Sequence, residues 1–331
     1  MVTIKDIAHK AGVAKSTVSR YLNGGSVSKK TRAKLDQIVS ETGYAPNTFA
    51  QSLKAKKTKM IGTIIPRLDS FATNTILASI DEELRNKQYQ LIITNTNQNV
   101  KREVENIYTL AKQKVDGIIL LATVVTPAHR KAIADVNIPV LLLGQSADGL
   151  NTIVHQEYEA GFKMGSYATD LGHKTFLYFT VLEEDEAVGQ LRSKGVLDAL
   201  KSSPETTVEV VETSFSFSKA YGKAMSVLTE TTATYILCAT DNIALAVMKA
   251  AHTLGLTIPE DFSLSGFGGY EVTSIVTPTI TTVKYPYEEL GSVSVANLIS
   301  LIEGEDKLIT IELPNELIAR ESTIQLTRKT P

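Results

Sequence analysis

From Met60 onward the chain repeats one pattern: a short, largely apolar run followed by a longer amphipathic stretch. The runs fall at 61–65, 91–94, 117–121, 140–143, 176–179, 208–211, 235–238 and 263–266, with helical periodicity at 75–87, 101–114, 157–171 and 242–254. Continuous apolar strands alternating with helices predict parallel sheets covered on both faces. About 270 residues is long for one such sheet and comfortable for two. The expectation is a body of two doubly wound parallel-sheet lobes.

The first 59 residues break this pattern in charge as well as in period. They hold twelve Lys/Arg against three acids, a net charge of +9, while the whole chain carries −2; the remainder is therefore −11. A polyanion would attract the first segment and repel the second, as expected of a nucleic-acid-binding module on an acidic body.

Within that segment Thr3-Ile4-Lys5-Asp6 has the spacing of a helix capping box. Ile4, Ile7, Ala8 and Ala11 follow at helical spacing and Gly12 closes the helix. A second short helix starts near Lys15, turns Val18 and Leu22 inward and stops at Asn23-Gly24-Gly25. Ser28 opens a third, running through Leu35, Ile38 and Val39 to Gly43. This is the outline of an all-α helix-turn-helix domain. A generic three-helix bundle with a basic face is the competing reading. The open side of helix two opposes it, because Lys15, Ser16, Thr17, Ser19 and Arg20 combine donors with little bulk. Thr17 and Ser19 suit phosphates, whereas Lys15, Ser16 and Arg20 suit base edges.

These residues carry a resemblance. The run from Thr3 to Asn23, with Ala11-Gly12-Val13-Ala14-Lys15-Ser16-Thr17-Val18-Ser19-Arg20-Tyr21-Leu22, and the later Gly43-Tyr44-Ala45-Pro46-Asn47 and Ala50-Gln51-Ser52-Leu53, are similar to the lactose-repressor family of bacterial regulators. Ala14 departs from the pattern, which commonly has a capping Ser there; such a cap is worth about 1 kcal/mol. The resemblance implies DNA contacts by Thr3, Lys15, Ser16, Thr17, Ser19, Arg20, Asn23, Lys29, Tyr44, Asn47, Ala50, Leu53 and Lys54. It further implies that 47–59 is a hinge that folds on the operator, with Leu53 wedged into the minor groove. A basic linker with one incidental leucine is the alternative. The expected domains are 1–46, the hinge and linker 47–59, and the body 60–331.

For the body the resemblance implies a periplasmic-binding-protein-like pair of lobes, 60–157 with 287–318 and 158–285 with 319–331. Crossovers are expected near Glu157, Pro286 and Arg320. Ligands of open α/β sheets lie at the carboxyl ends of strands, which points to Arg67, Asp69, Ser70 and Phe71 after the first strand. Asn95 and Asn97 follow the second, Gln145 the fourth, and Thr240-Asp241 the strand at 235–238. Arg192 and Tyr285 are implied by the resemblance alone. Asp241 is equally a cap for a helix from Asn242, Arg192 a surface salt-bridge partner, and the two Asn turn residues. Gly268-Gly269 stands where several sugar-binding members carry Asp. The Pro66–Ser70 run with Ser265–Tyr270 most resembles the sucrose-operon branch.

Other chemistry is not indicated. The lone cysteine, Cys238, lies in an apolar run and reads as packing, in a reducing compartment. Five scattered histidines lack metal-ligand spacing, and His173 reads as a helix-end residue. No cofactor or metal is expected, and no catalytic motif is found. The run Glu183-Glu184-Asp185-Glu186 reads as a solvated loop. With no apolar stretch of about eighteen residues and no signal peptide, a cytoplasmic, nucleoid-associated protein without a membrane partner is expected. The leading function is a homodimeric repressor that binds double-stranded operator DNA and answers to a sugar or sugar phosphate, sucrose or a relative favoured. The alternatives are a global regulator whose corepressor is a phosphocarrier protein, and a sugar-binding transport protein.

Overall fold

The computed structural model describes residues 2–22, 24–44, 57–305 and 307–326. Contacts divide the chain into two units, 1–59 and 60–331.

In the first unit, α1 (Ile4–Ala11) starts with the full capping box between Thr3 and Asp6 and ends on Gly12 at φ 63°. That left-handed angle is open to glycine at no cost. Helix α2 (Lys15–Leu22) begins with the Thr17 and Val18 N–H groups on the Ala14 carbonyl, at 2.9 and 3.3 Å. Helix α3 (Lys29–Thr42) is capped by Ser28, whose hydroxyl accepts from the Thr31 N–H, and closes on Gly43. Ile7, Ala8, Ala11, Val18, Leu35 and Ile38 form the small core, with Tyr21, Leu22 and Tyr44 packed at its edge.

The second unit contains two six-stranded sheets. The first is built from β1 (Met60–Ile65), β2 (Gln90–Asn95), β3 (Gly117–Leu121), β4 (Val140–Leu143), β5 (Asn151–His155) and β11 (Thr310–Leu313). Their order is β11-β5-β4-β3-β1-β2, all parallel. It is flanked by α4 (Phe71–Asn86), α5 (Val100–Lys112), α6 (Pro127–Asp135) and α11 (Tyr287–Glu303). The second sheet is β12 (Glu316–Ile318), β10 (Thr281–Lys284), β9 (Ser263–Gly268), β8 (Tyr235–Cys238), β6 (Thr175–Thr180) and β7 (Thr207–Glu212), in that order. Helices α7 (Glu157–Asp170), α8 (Ser193–Ser202), α9 (Phe217–Val227) and α10 (Asp241–Leu254) belong to it. The free Cys238 is buried in β8, where desolvation pushes its thiol up.

The apolar runs locate the strands that are covered on both faces and, in addition, the half-exposed edge strands β2 and β7. Four strands escaped that signal. β5 is mixed and β10 begins Thr-Thr, with both threonines fully buried, while β11 and β12 are short edge strands carrying glutamates. This corrects one lobe boundary. β12 pairs antiparallel with β10, Thr282 opposite Ile318 and Lys284 opposite Glu316, so the first lobe does not extend to 318. The third crossover is Pro314-Asn315. Arg320 lies inside the second lobe, donating Nη1 to Thr273 Oγ1 at 2.6 Å and to the Ile280 carbonyl at 2.9 Å.

Helices α7 and α8 meet with almost no space between their backbones. A Cβ on Gly161 would lie 2.1 Å from the Arg192 carbonyl oxygen, and one on Gly195 2.1 Å from that of Tyr158. Glycine at both positions lets the helices close. That closeness sets Glu157, the first residue of α7, against Arg192, the last residue before α8.

Candidate functional site

In the first unit the outer face of α2 is the candidate nucleic-acid surface. Lys15, Ser16 and Arg20 are exposed on it, Thr17 and Ser19 half-buried, and Lys29 is exposed at the start of α3. Gly25 backs the helix end: its N–H donates to the Arg20 carbonyl at 2.8 Å, and a Cβ would lie 2.6 Å from Arg20 Cγ. Thr3 forms the expected cap. Its hydroxyl donates to Asp6 Oδ2 at 2.7 Å and accepts from the Asp6 N–H. Tyr44 packs on the core edge, its N–H on the Val39 carbonyl at 3.3 Å. Asn23, Asn47, Ala50, Leu53 and Lys54, and with them the expected hinge through residue 56, lie outside the described residues.

In the second unit a cavity of about 180 Å³ opens between the lobes at the carboxyl ends of the strands. The first lobe contributes Arg67, Ser70, Gln98, Thr123, Gln145 and His155; the second contributes Glu157, Asp185, Arg192, Phe215, Thr240, Phe267 and Tyr270. Of the expected residues, Arg67, Ser70, Gln145, Arg192 and Thr240 line it. Ser70 and Thr240 are buried helix caps, accepting from the Thr73 and Ile243 N–H groups.

Arg192 is no surface salt bridge. It is 5 % exposed, and its Nε and Nη2 donate to Glu157 Oε2 at 2.8 and 2.7 Å. Its Nη1 donates to the Ala239 carbonyl at 2.5 Å, and the rings of Phe267 and Tyr285 lie 5.1 Å from the guanidinium carbon. Burial works against its charge, but Glu157 more than restores it and holds the guanidinium above its usual range. Of five N–H groups, two remain for a ligand. Arg67 is held differently, stacked 4.3 Å from the Phe215 ring centre across the cavity. Among the described residues it has no ion pair, and burial lowers its pKa.

Five of the expected residues lie off the cavity, for physical reasons. Asp69 is exposed and does not line the cavity. Phe71 is also off it, 54 % exposed, tilted against Tyr270 at 5.2 Å. Asn97 is a turn residue at φ 59°, with its N–H on Asn95 Oδ1 at 3.4 Å. Asp241 neither lines the cavity nor caps a helix. It is fully buried, accepting from Thr282 Oγ1 at 2.6 Å and from the Tyr270 N–H at 2.9 Å, and burial raises it to about 6. Tyr285 is 2 % exposed and donates its hydroxyl to Glu157 Oε2 at 2.6 Å. It lines a neighbouring groove, and Tyr287 takes its place in the cavity.

Sequence reasoning missed His155, Thr123, Gln98 and Tyr287, and took Glu157 only as a crossover. Asp185 was assigned to a solvated run. It instead caps a π-helical turn (Glu186–Arg192) by accepting from the Val188 N–H at 2.8 Å, and burial raises its carboxyl. His155 ends β5. Burial, then the neighbouring Arg192, lowers its imidazole to about 3. Its two ring nitrogens are buried and have no hydrogen-bond partner among the described residues. Gln145 donates Nε2 to the Thr123 carbonyl at 3.1 Å, while its Oε1 is buried and has no partner among the described residues. Thr123 is in turn fixed from below: its hydroxyl donates to Glu103 Oε1 at 2.9 Å, and Glu103 Oε2 lies 3.1 Å from His129 Nε2.

Comparison with known proteins agrees with both halves of this description. Residues 3–47 match the model for bacterial regulatory proteins of the lacI family, and residues 166–323 a periplasmic binding protein-like domain. The sucrose operon repressor of Staphylococcus xylosus is 41 % identical over 310 residues, covering 92 % of this chain and 95 % of that protein. The chain belongs to the lacI family of bacterial regulatory proteins. It is a DNA-binding transcriptional repressor and not an enzyme. Catabolite control protein A of Priestia megaterium is 29 % identical, covering 97 % of this lacI-family chain and 99 % of its own. The lac repressor dimer bound to operator and the anti-inducer ONPF superimposes with a TM-score of 0.89 at 28 % identity, over 98 % and 99 % of the two chains. Among the described residues no helix is long and apolar enough to cross a membrane, and no cluster of His, Cys, Asp and Glu could hold a metal ion.

Proposed function

We propose that this protein is a cytoplasmic, homodimeric repressor of a carbohydrate-utilisation operon, with a sugar of the sucrose class as its effector in the cavity between the lobes. The observation that carries the reading is the cavity wall itself. It offers uncommitted hydrogen-bonding groups from Gln145, His155 and Arg192 beside the ring of Phe215, the mixture of polar handles and apolar faces that binds a sugar. The 41 % identity to a sucrose operon repressor supports the choice of sugar. Lys15, Ser16 and Arg20 read base edges in the major groove, while Thr17, Ser19 and Lys29 hold phosphates. The effector changes DNA affinity only as far as it prefers one arrangement of the lobes over another.

Two measurements test this. Calorimetric titration of the full chain with sucrose, its 6-phosphate, glucose, fructose and maltose should show saturable binding of at least one; no binding by any would sink the sugar reading. Arg20→Ala should weaken binding to an operator selected from random DNA by roughly 1–3 kcal/mol and leave binding to non-operator DNA nearly unchanged. Equal losses on both would make Arg20 a phosphate contact. The likeness to catabolite control protein A favours a second reading, with a phosphocarrier protein as corepressor. Co-sedimentation with the phosphorylated and unphosphorylated carrier separates the two.

A further inference from the structure

Six buried side-chain polar atoms lack a hydrogen-bond partner among the described residues, and three of them belong to two residues of one cavity wall: His155 Nδ1, His155 Nε2 and Gln145 Oε1. Buried polar groups are nearly always paired, so three orphans on one wall need a cause. Neighbouring side chains do not supply one. The Tyr285 and Tyr287 rings pack 4.8 and 5.6 Å from the imidazole centre, but the Tyr285 hydroxyl is committed to Glu157. Arg192, the nearest cation, is engaged with Glu157 and the Ala239 carbonyl, and it disfavours a second positive charge beside it.

The orphans have a definite polarity. A neutral imidazole presents one N–H donor and one lone pair, and Gln145 Oε1 presents a further acceptor. The wall therefore lacks one acceptor and two donors. A carboxylate or phosphate group supplies acceptors only, and would leave the imidazole lone pair and the amide oxygen unmet. Hydroxyl groups supply both kinds: two hydroxyls donate to the two acceptors, and the oxygen of one accepts from the imidazole N–H.

We propose that His155 is a specificity-determining residue of the effector site, reading with Gln145 a pair of sugar hydroxyls through both nitrogens of a neutral imidazole. This rests on the sugar reading of the cleft given above and adds which wall recognises the hydroxyls and why an anionic group does not bind there. Burial and Arg192 keep the ring neutral, so both nitrogens stay available in their two different roles.

The test uses the full-length protein and whichever of sucrose, its 6-phosphate, glucose, fructose or maltose binds it, with the monodeoxy analogues of that sugar. His155→Phe, which keeps a flat ring but has no nitrogen, should bind the sugar about ten-fold more weakly or worse, the loss of one or more hydrogen bonds. His155→Gln, which keeps a donor and an acceptor, should recover part of the loss. One deoxy analogue should lose affinity for the wild type yet lose little further for His155→Phe, because the missing hydroxyl and the missing nitrogen are the same contact. The sugar-free melting temperature of His155→Phe should be no lower than wild type, since unpartnered polar atoms have been removed; a merely structural histidine would lower it. Unchanged sugar affinity in His155→Phe, or every deoxy analogue losing as much in the variant as in the wild type, overturns the role of His155 and leaves the sugar reading standing. Failure of the wild type to bind any of the sugars overturns both.

Discussion

The two lobes share a topology, but their cavity walls are built on opposite principles. On and behind the second-lobe wall the polar groups are bonded to one another: Arg192 on the wall and Tyr285 behind it converge on Glu157, the buried Asp241 holds Thr282 and the Tyr270 backbone, and Asp185 and Thr240 cap their helices. On the first-lobe wall, among the described residues, Arg67 is stacked without an ion pair, and Gln145 and His155 keep unmet valences. One wall is mostly frame, with two Arg192 N–H groups left over; the other keeps more of its bonding capacity for what enters. A buried charge can be the most conspicuous group in a site and still contribute mainly to its shape.

Four measurements would break or sharpen that contrast. The largest effect belongs to Arg192→Ala, which leaves Glu157 buried without its cation and should cost about 3–5 kcal/mol in urea denaturation. If Arg67→Ala costs as much, the walls do not differ. Next comes a pH effect at His155. Its folded-state pKa is lowered to about 3, so the unfolded chain takes up a proton below pH 6.5 that the folded chain refuses. The stability it contributes is complete above pH 6.5 and is lost as pH falls. Between pH 6.5 and 5 the wild type should lose about 2 kcal/mol relative to His155→Phe, and parallel stability curves would show an imidazole already free to protonate. Gln145→Leu gives a smaller change. It breaks the bond to the Thr123 carbonyl but removes an orphan acceptor, so stability should move by no more than about 1 kcal/mol while sugar affinity falls about ten-fold. Smallest is Asp69→Ala, exposed and off the cavity, which should stay within about 0.5 kcal/mol and leave sugar affinity unchanged; a clear loss would extend the receptive wall outward.

Local grammar made the first unit legible. Capping residues, closing glycines and the spacing of Ile7, Ala11 and Val18 all act within a few residues of each other, and the helices follow the expected ends closely. The covered strands were legible because burial on both faces demands apolar runs. The edge strands β2 and β7 kept enough apolar residues to be read as well, whereas mixed β5, Thr-rich β10 and the short edges β11 and β12 did not, since their partners, rather than their composition, make them strands. The cavity was legible only as a region. Strand ends pointed to Ser70, Gln145 and Thr240, but whether a polar group faces a ligand or a neighbour depends on residues far away in sequence. Tyr285 and Glu157 are 128 positions apart, and Asp241 and Thr282 are 41. His155 gave no signal because an unmet hydrogen bond exists only in three dimensions.

The third crossover has a mechanical consequence. β11 ends at Leu313 and β12 begins at Glu316, so two residues join the sheets there. Even fully extended, such a link reaches only about 10 Å. Asn315 within it receives Lys163 Nζ on its carbonyl and side-chain oxygens at 2.9 and 2.7 Å and donates Nδ2 to the Gln156 carbonyl at 3.0 Å, stitching the last passage between lobes to the first. The body is two plates on a sewn spine. The plates can swing or twist about the seam but cannot be drawn apart, so a bound effector has only an angle in which to write its message.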